Sequence, residues 1–99
     1  MHIKFLEFGS SLGTRDLGSK IREEIEKSID RDEKVIFDLK GMEIISNSFA
    51  DECLAKLLLK FDFDTIKSKT SFINGNNDNT KIILKAFKDR MKKINIVNS

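Results

Sequence analysis

The chain has no proline, tryptophan or tyrosine, and among its 99 residues it has only one cysteine and one histidine. A single cysteine excludes an intramolecular disulfide, and with one histidine it also excludes a zinc site built from several such ligands. A catalytic triad is also disfavoured, because its central histidine would have to be His2, which directly follows the initiating methionine. No apolar run approaches the ~20 residues of a membrane span. We therefore expect no metal, no cofactor and no membrane segment.

Hydrophobic residues make up 39% of the chain and charged residues 34%, a balance typical of a globular domain rather than a disordered one. A chain of this length holds one core, so we expect a single domain over residues 1–99, with an ordered core over about residues 2–93 and a short C-terminal tail. The N-terminal segment does not resemble a signal peptide, which predicts a cytoplasmic protein. Frequent lysine, isoleucine, asparagine and phenylalanine indicate a bacterial or phage genome rich in AT.

Hydrophobic periodicity predicts strands and helices in alternation. The predicted strands cover residues 2–8, 35–39, 42–45 and 70–73. The predicted helices cover residues 14–29, 46–61 and about 77–92, and a short edge strand or loose tail follows at residues 94–97. Because the run from Val35 to Phe37 does not alternate, we expect a strand buried on both faces. The order predicts a layered α/β domain with a central mixed sheet of about four strands and about three helices.

Several polar residues lie where helices should begin. Thr14 can cap the first helix, and Asn77 or Asn79 can cap the third. Ser48, followed three residues later by Asp51, matches a capping box with aspartate in place of the usual glutamate. Ligands collect at strand-to-helix junctions in α/β sheets, so the same segment is a candidate site. The sequence leaves two roles open for Ser48, a helix cap or a hydroxyl presented for phosphorylation.

The charge is unevenly distributed. Residues 65–99 carry eight basic and two acidic side chains, whereas residues 1–64 carry ten basic and fourteen acidic ones. The basic third helix could bind nucleic acid, with four lysines as the contact residues: Lys81, Lys85, Lys88 and Lys92. Alternatively, these lysines only solvate an amphipathic helix whose one aromatic residue, Phe87, should face inward. Cys53 lies on an apolar helix face and is expected in the core, so we find no nucleophile and expect no enzyme.

The segment from Asp38 to Ala50, DLKGMEIISNSFA, resembles the signature of STAS domains, the fold of anti-sigma factor antagonists. That signature has aspartate-leucine, a turn, a hydrophobic stretch and then Asp-Ser-Ser/Thr-Gly at the start of a helix. Ser48 takes the place of the regulatory serine, while Phe49 replaces the glycine. The start Ser-Phe-Ala-Asp also resembles a STAS-like family of unknown function, as does the earlier segment from Gly13 to Gly18.

This resemblance implies a regulatory protein-interaction module that binds a protein partner around the start of the second helix. In related proteins, a kinase with a histidine-kinase-like ATP fold phosphorylates the serine and ends binding. Ser48 is then the candidate phosphoacceptor, and a histidine-kinase-like ATPase or another regulator is the partner. The residues expected to contact the partner are Thr14, Arg15, Ser46, Asn47, Ser48, Phe49 and Asp51. The alternative is the nucleic-acid-binding accessory protein described above.

Overall fold

Strands and helices alternate along the computed structural model, which describes residues 1–98 and the side chains of residues 1–95. In chain order the elements are β1 (His2–Lys4), β2 (Ser11–Leu12), α1 (Arg15–Asp30), β3 (Val35–Asp38), β4 (Ile44–Ile45), α2 (Asn47–Cys53), α3 (Phe63–Lys69), β5 (Thr70–Ile73) and α4 (Asn77–Asn98). Short 3-10 helices cover Phe5–Phe8 and Ala55–Leu59. The predicted α/β class is therefore correct, although the described chain has four α-helices rather than three.

The strands form two small sheets, and both are parallel. The main sheet has the order β1–β3–β5, and β2 pairs with β4 separately. The predicted mixed sheet of four strands is wrong on both counts. Each pair of neighbouring strands is joined through a crossover that contains a helix, and such connections return the chain in the same direction.

The helices cover only one face of the main sheet. Val35 and Phe37 point toward them and are fully buried, whereas Ile36 and Asp38 point to the opposite face and are partly exposed. The expectation that β3 is buried on both faces is therefore wrong, because β3 alternates in burial despite its apolar sequence. On the covered face, Phe37 stacks between Phe5 and Phe72, with ring centroids 5.7 Å and 4.9 Å away.

Three boundaries differ from the sequence-based expectation. β1 ends at Lys4 because its partner β3 ends at the paired residue Asp38, and the chain then turns into a 3-10 helix. The second helix, predicted over residues 46–61, ends at Cys53. A separate helix, α3, begins after its cap Asp62, whose carboxylate accepts a hydrogen bond from the Thr65 amide at 2.7 Å. Finally, residues 94–97 lie within α4, so no edge strand forms there.

Of the caps predicted for α1 and α4, the first is confirmed and the second is placed differently. Thr14 caps α1 as expected, with its hydroxyl accepting a hydrogen bond from the Leu17 amide. At α4, however, Asn76 is the cap and accepts from the Asn79 amide at 2.7 Å. The Asn79 side chain is buried instead, and its oxygen accepts a hydrogen bond from the Ile45 amide at 3.0 Å. This bond fixes the start of α4 against β4, immediately before the start of α2.

Candidate functional site

The loop after β2 and the start of α2 lie side by side because β2 and β4 pair. The Ser46 amide donates to the Leu12 carbonyl at 2.9 Å, and the Ser46 hydroxyl donates to the Gly13 carbonyl at 3.2 Å. Thr14 and Arg15 follow directly and begin α1. The structure thus brings together two segments that are more than thirty residues apart in the sequence.

Ser46, and not Ser48, caps α2. The Ser46 side-chain oxygen accepts a hydrogen bond from the Phe49 amide at 3.0 Å, so Ser48 lies within the first turn. The predicted capping box at Ser48 and Asp51 is therefore wrong. Among the residues whose side chains are described, none forms a hydrogen bond with the Ser48 hydroxyl. Ser48 therefore has no capping role, and its side chain is partly exposed.

Asp51 connects three helices. Its carboxylate accepts two hydrogen bonds from Arg90 of α4, at 3.0 and 2.5 Å, and a third from Arg15 of α1 at 3.0 Å. Burial raises the pKa of Asp51, but the hydrogen bonds from Arg90 and Arg15 outweigh burial, so this pKa lies below its ordinary value. The Arg15 pKa is raised, chiefly by its hydrogen bond to Asp51. Asp51 was predicted to contact a partner, whereas the structure places it in an internal ion pair.

Glu52 extends this network toward the core. It is almost fully buried and accepts hydrogen bonds from Arg22 at 2.6 Å and Lys56 at 2.9 Å. Arg22 also donates to the Glu52 main-chain carbonyl at 2.5 Å. Burial raises the pKa of Glu52, but the hydrogen bonds from Lys56 and Arg22 outweigh burial, so this pKa lies below its ordinary value. A buried carboxylate surrounded in this way is charged and fixed in place.

A polar cleft of about 180 Å³ lies between the start of α2 and the middle of α4. On one side it is lined by Asn47, Ser48 and Asp51, with Arg15 at its end. On the other side α4 contributes four charged side chains: Lys85, Asp89, Arg90 and Lys93. We call this the Ser48 cleft. Four of its side chains are cationic and two are anionic, so it favours an acidic ligand.

The predicted contact residues therefore divide into three groups. Asn47, Ser48, Asp51 and Arg15 line the Ser48 cleft, and Arg15 remains half exposed although it is paired with Asp51. Thr14 and Ser46 use their hydroxyls as helix caps. Phe49 is completely buried, with its ring edge-on to Phe5, so its predicted contact with a partner is wrong.

The four lysines of the alternative site lie along one exposed stripe of α4. Lys81, Lys85, Lys88 and Lys92 follow one another at intervals of three or four residues, which places them on the same side of the helix. Only Lys85 also lines the Ser48 cleft, where it pairs with Asp89 at 2.9 Å. Phe87 points inward, as expected, and meets Phe63.

Sequence reasoning missed the contribution of Arg90, Asp89 and Lys93 to the Ser48 cleft. Their spacing with Ala86 places all four residues on one helix face, which was visible in the sequence. Nothing in the sequence indicated that this face of α4 packs against α2. The Ser48 cleft and the lysine stripe of α4, which were predicted as separate sites, thus have Lys85 in common.

Metal-binding and nucleophilic groups are sparse in the part of the chain that the structure describes. Within it, no three His, Cys, Asp or Glu side chains converge to form a cation site. Cys53 is fully buried on α2, and burial raises the pKa of its thiol. Within residues 1–98, none of the helices is both long enough and apolar enough to span a bilayer.

These features define a small parallel α/β domain with a charged cleft at a helix start. The chain matches the family described as a STAS-like domain of unknown function (DUF4325) over residues 18–80, and it belongs to that family. The matched region runs from α1 to the start of α4 and includes the α2 side of the Ser48 cleft. No curated protein and no solved structure is similar enough to this chain to count as a match.

Proposed function

We infer that this protein is a non-enzymatic regulatory module that binds an acidic surface of a protein partner through the Ser48 cleft. The observation that carries this proposal is the position of Ser48 beside the cations of α4. The Ser48 hydroxyl does not cap α2, because Ser46 does so. Membership of a STAS-like family supports an interaction role, since STAS domains of anti-sigma factor antagonists bind protein partners near this helix start.

The charges of the cleft suit an acidic partner. Arg15 and Arg90 share Asp51, so two guanidinium groups are held beside one carboxylate. Lys93 forms no ion pair with any side chain of residues 1–95. A partner carboxylate beside Lys93 would gain charge-assisted hydrogen bonds without displacing an existing ion pair. Positive potential in a concave site also accelerates association with acidic partners.

Phosphorylation of Ser48 would act as a switch through the same charges. A phosphate adds roughly −1.5 to −2 charges at neutral pH. On Ser48 it would lie among the cations that line the cleft and would pair with them internally. An acidic partner would then lose its binding charges and meet a negative group. We propose that a kinase, such as one with a histidine-kinase-like ATP fold, supplies this phosphate.

Affinity capture with charge variants tests this function. Wild type, Ser48→Ala, Ser48→Glu and Lys93→Glu are used as bait in nuclease-treated host lysate, and bound proteins are quantified by mass spectrometry. We expect one acidic protein that wild type and Ser48→Ala recover equally and that both glutamate variants lose. Lys20→Glu is the matched control, because Lys20 is an exposed lysine of α1 outside the cleft, and it should retain the partner.

If Ser48→Glu and Lys93→Glu recover the same proteins as wild type, the cleft is not the binding surface. Circular dichroism of each variant must show an unchanged fold for the comparison to count. Loss of binding in Lys93→Glu alone would support the cleft but contradict the phosphoserine switch.

Nucleic-acid binding is the second candidate, favoured by the exposed lysine stripe of α4. It predicts retention on single-stranded or duplex DNA and RNA that weakens as salt is raised, because bound phosphates release counterions. The double variant Lys85→Glu, Lys88→Glu should abolish that retention. Unchanged retention in this variant would remove the candidate.

A further inference from the structure

A second concave surface lies on a different face of α4 and has the opposite character. It is an open groove of about 420 Å³ between α3, α4 and β5, with a volume within the roughly 300–1,000 Å³ typical of ligand sites. Its floor is apolar and is built from Phe63, Ile66, Phe72, Ile83 and Phe87. We call it the β5 groove. Leu84 forms its outer wall and is 54% exposed, and Phe72 is 41% exposed.

The groove lies at the edge of the sheet, where residues of α3 and α4 line it together with the edge strand β5. β5 is the edge strand of the order β1–β3–β5, and β3 occupies its other side. The Leu39 amide donates to the Ile73 carbonyl at 2.9 Å, so the main chain of Ile73 faces β3. Main-chain groups alternate in direction along a strand, so those of Phe72 point away from β3, toward the open edge of the sheet. In the described part of the chain, no other strand pairs with β5 on that side.

An added strand would use both features of this site at once. Its main chain would pair with the outward amide and carbonyl of Phe72, which is the strand-addition mode of peptide recognition. Every second side chain would point toward the helices and enter the β5 groove. A small apolar molecule would fill the groove but leave the strand edge unpaired, so an extended polypeptide fits the site better.

The charges around the groove indicate what that polypeptide carries. Lys67 of α3 lines the groove, and Lys81 and Lys88 flank Leu84 on the exposed side of α4. None of these three lysines forms an ion pair with a side chain of residues 1–95, although two carboxylates, those of Asp62 and Asp64, flank the groove residue Phe63 in the sequence. Two copies of this chain joined through β5 would bring their lysines together. An acidic segment from a different protein would pair with them.

We propose that the β5 groove binds an extended segment of a partner protein by strand addition to β5. This segment has apolar side chains at alternate positions, which fill the groove, and acidic side chains between or beside them, which meet Lys67, Lys81 and Lys88. The β5 groove is separate from the Ser48 cleft, because the two surfaces share none of their lining residues.

The probe is a fluorescein-labelled heptapeptide with glutamate at its four odd positions and valine, phenylalanine and valine at the others. Binding is measured by fluorescence anisotropy. We expect saturable binding to the full-length protein, with a dissociation constant below about 1 mM. A peptide with lysine in place of glutamate should bind at least about tenfold more weakly, because it meets the lysines with like charge.

Substitution of Leu84 identifies the surface. Leu84→Glu should weaken binding at least about tenfold, since it puts a charge into the apolar wall of the groove. The matched control is Leu6→Glu, because Leu6 is 48% exposed and follows β1 at the opposite edge of the sheet. This control should bind like wild type. Circular dichroism checks that both variants are folded.

Amide hydrogen exchange identifies the binding mode. Strand addition should slow exchange of the Phe72 amide on peptide binding, whereas the Ser71 amide already faces β3 and should change little. No saturable binding, equal affinity for Leu84→Glu and Leu6→Glu, or unchanged Phe72 exchange at saturation would each overturn the proposal. Sedimentation of wild type as a dimer and of Leu84→Glu as a monomer would also overturn it, because a second copy would then occupy the groove.

Discussion

Two serines, two residues apart, have different tasks in this structure. Ser46 accepts a hydrogen bond from the Phe49 amide, while Ser48 has no such bond. Ser46→Ala should therefore lower the free energy of unfolding by about 0.5–2 kcal/mol. Ser48→Ala should change it by less than about 0.5 kcal/mol. Urea unfolding of both variants checks this, and an equal loss in the two would show that Ser48 also has a structural role.

The thiol of Cys53 should be inert in the native protein. It is fully buried, and burial raises its pKa, so little thiolate forms at neutral pH. We expect no reaction with Ellman's reagent under native conditions and one equivalent of reaction in urea. Fast modification of the folded protein would contradict the position of Cys53 in the core.

At the scale of the element, the contact between α1 and α2 depends on Gly18. A methyl group at Gly18 would approach the Cys53 amide nitrogen at 3.2 Å and the Phe49 carbonyl oxygen at 3.4 Å. Both neighbours are backbone atoms and cannot rotate away. Alanine has a higher helix propensity than glycine, but the steric conflict should outweigh this gain. Gly18→Ala should therefore destabilise the protein by about 1 kcal/mol, and Gly18→Val by more.

Gly13→Ala is the matched control for this prediction. An added methyl group at Gly13 meets only the Ser46 hydroxyl, at 3.9 Å. This variant should be neutral or slightly stabilising, because alanine restricts the unfolded chain. Thermal unfolding of both variants compares them directly. A stabilised Gly18→Ala protein would mean that α1 and α2 can separate without loss.

Elements with a clear period or cap were predictable from the sequence, and those without were not. The stripe from Leu17 to Ile29 and the cap at Thr14 together located α1 within one residue. The segment from Leu54 to Leu59 is apolar at every position except Lys56, so its period did not reveal the break after Cys53. Asp62, the cap of α3, was the signal that could have located the next helix.

The Ser48 cleft was predictable only on its α2 side. The motif at residues 48–51 identified the helix start because it is a contiguous pattern. The exposure of Ser48 and the burial of Phe49 depend on which residue caps the helix, and three serine or asparagine residues compete for that position. The α4 side depends on tertiary packing between elements almost forty residues apart, as in the pair of Asp51 and Arg90. No local pattern encodes such a pair.

At the scale of the whole molecule, the carboxylates of Asp51 and Glu52 tie α1, α2 and α4 into one unit. Both have pKa values below their ordinary values in the folded protein. Folding therefore favours their charged forms, and this contribution is complete above the unfolded-state pKa values and is lost as the pH falls through the folded ones. The free energy of unfolding should decrease from about pH 5 to pH 3.

Asp51→Asn tests this assignment. The variant should be less stable than wild type at pH 7, because Arg90 and Arg15 lose a charged partner, and its stability should depend less on pH. Urea unfolding at several pH values measures both effects. A variant with the same pH dependence as wild type would show that the Asp51 pairs contribute nothing to acid sensitivity.

Helix α4 is the common wall of two concave surfaces, with Arg90 and Lys93 on one and Leu84 and Phe87 on the other. A ligand that changes the position of this helix at one surface must alter the shape of the second. Thermodynamic linkage requires the effect to be mutual, so each ligand changes the affinity of the other by the same factor. If both proposed surfaces bind partners and binding shifts α4, this one helix would transmit the occupancy of one surface to the other.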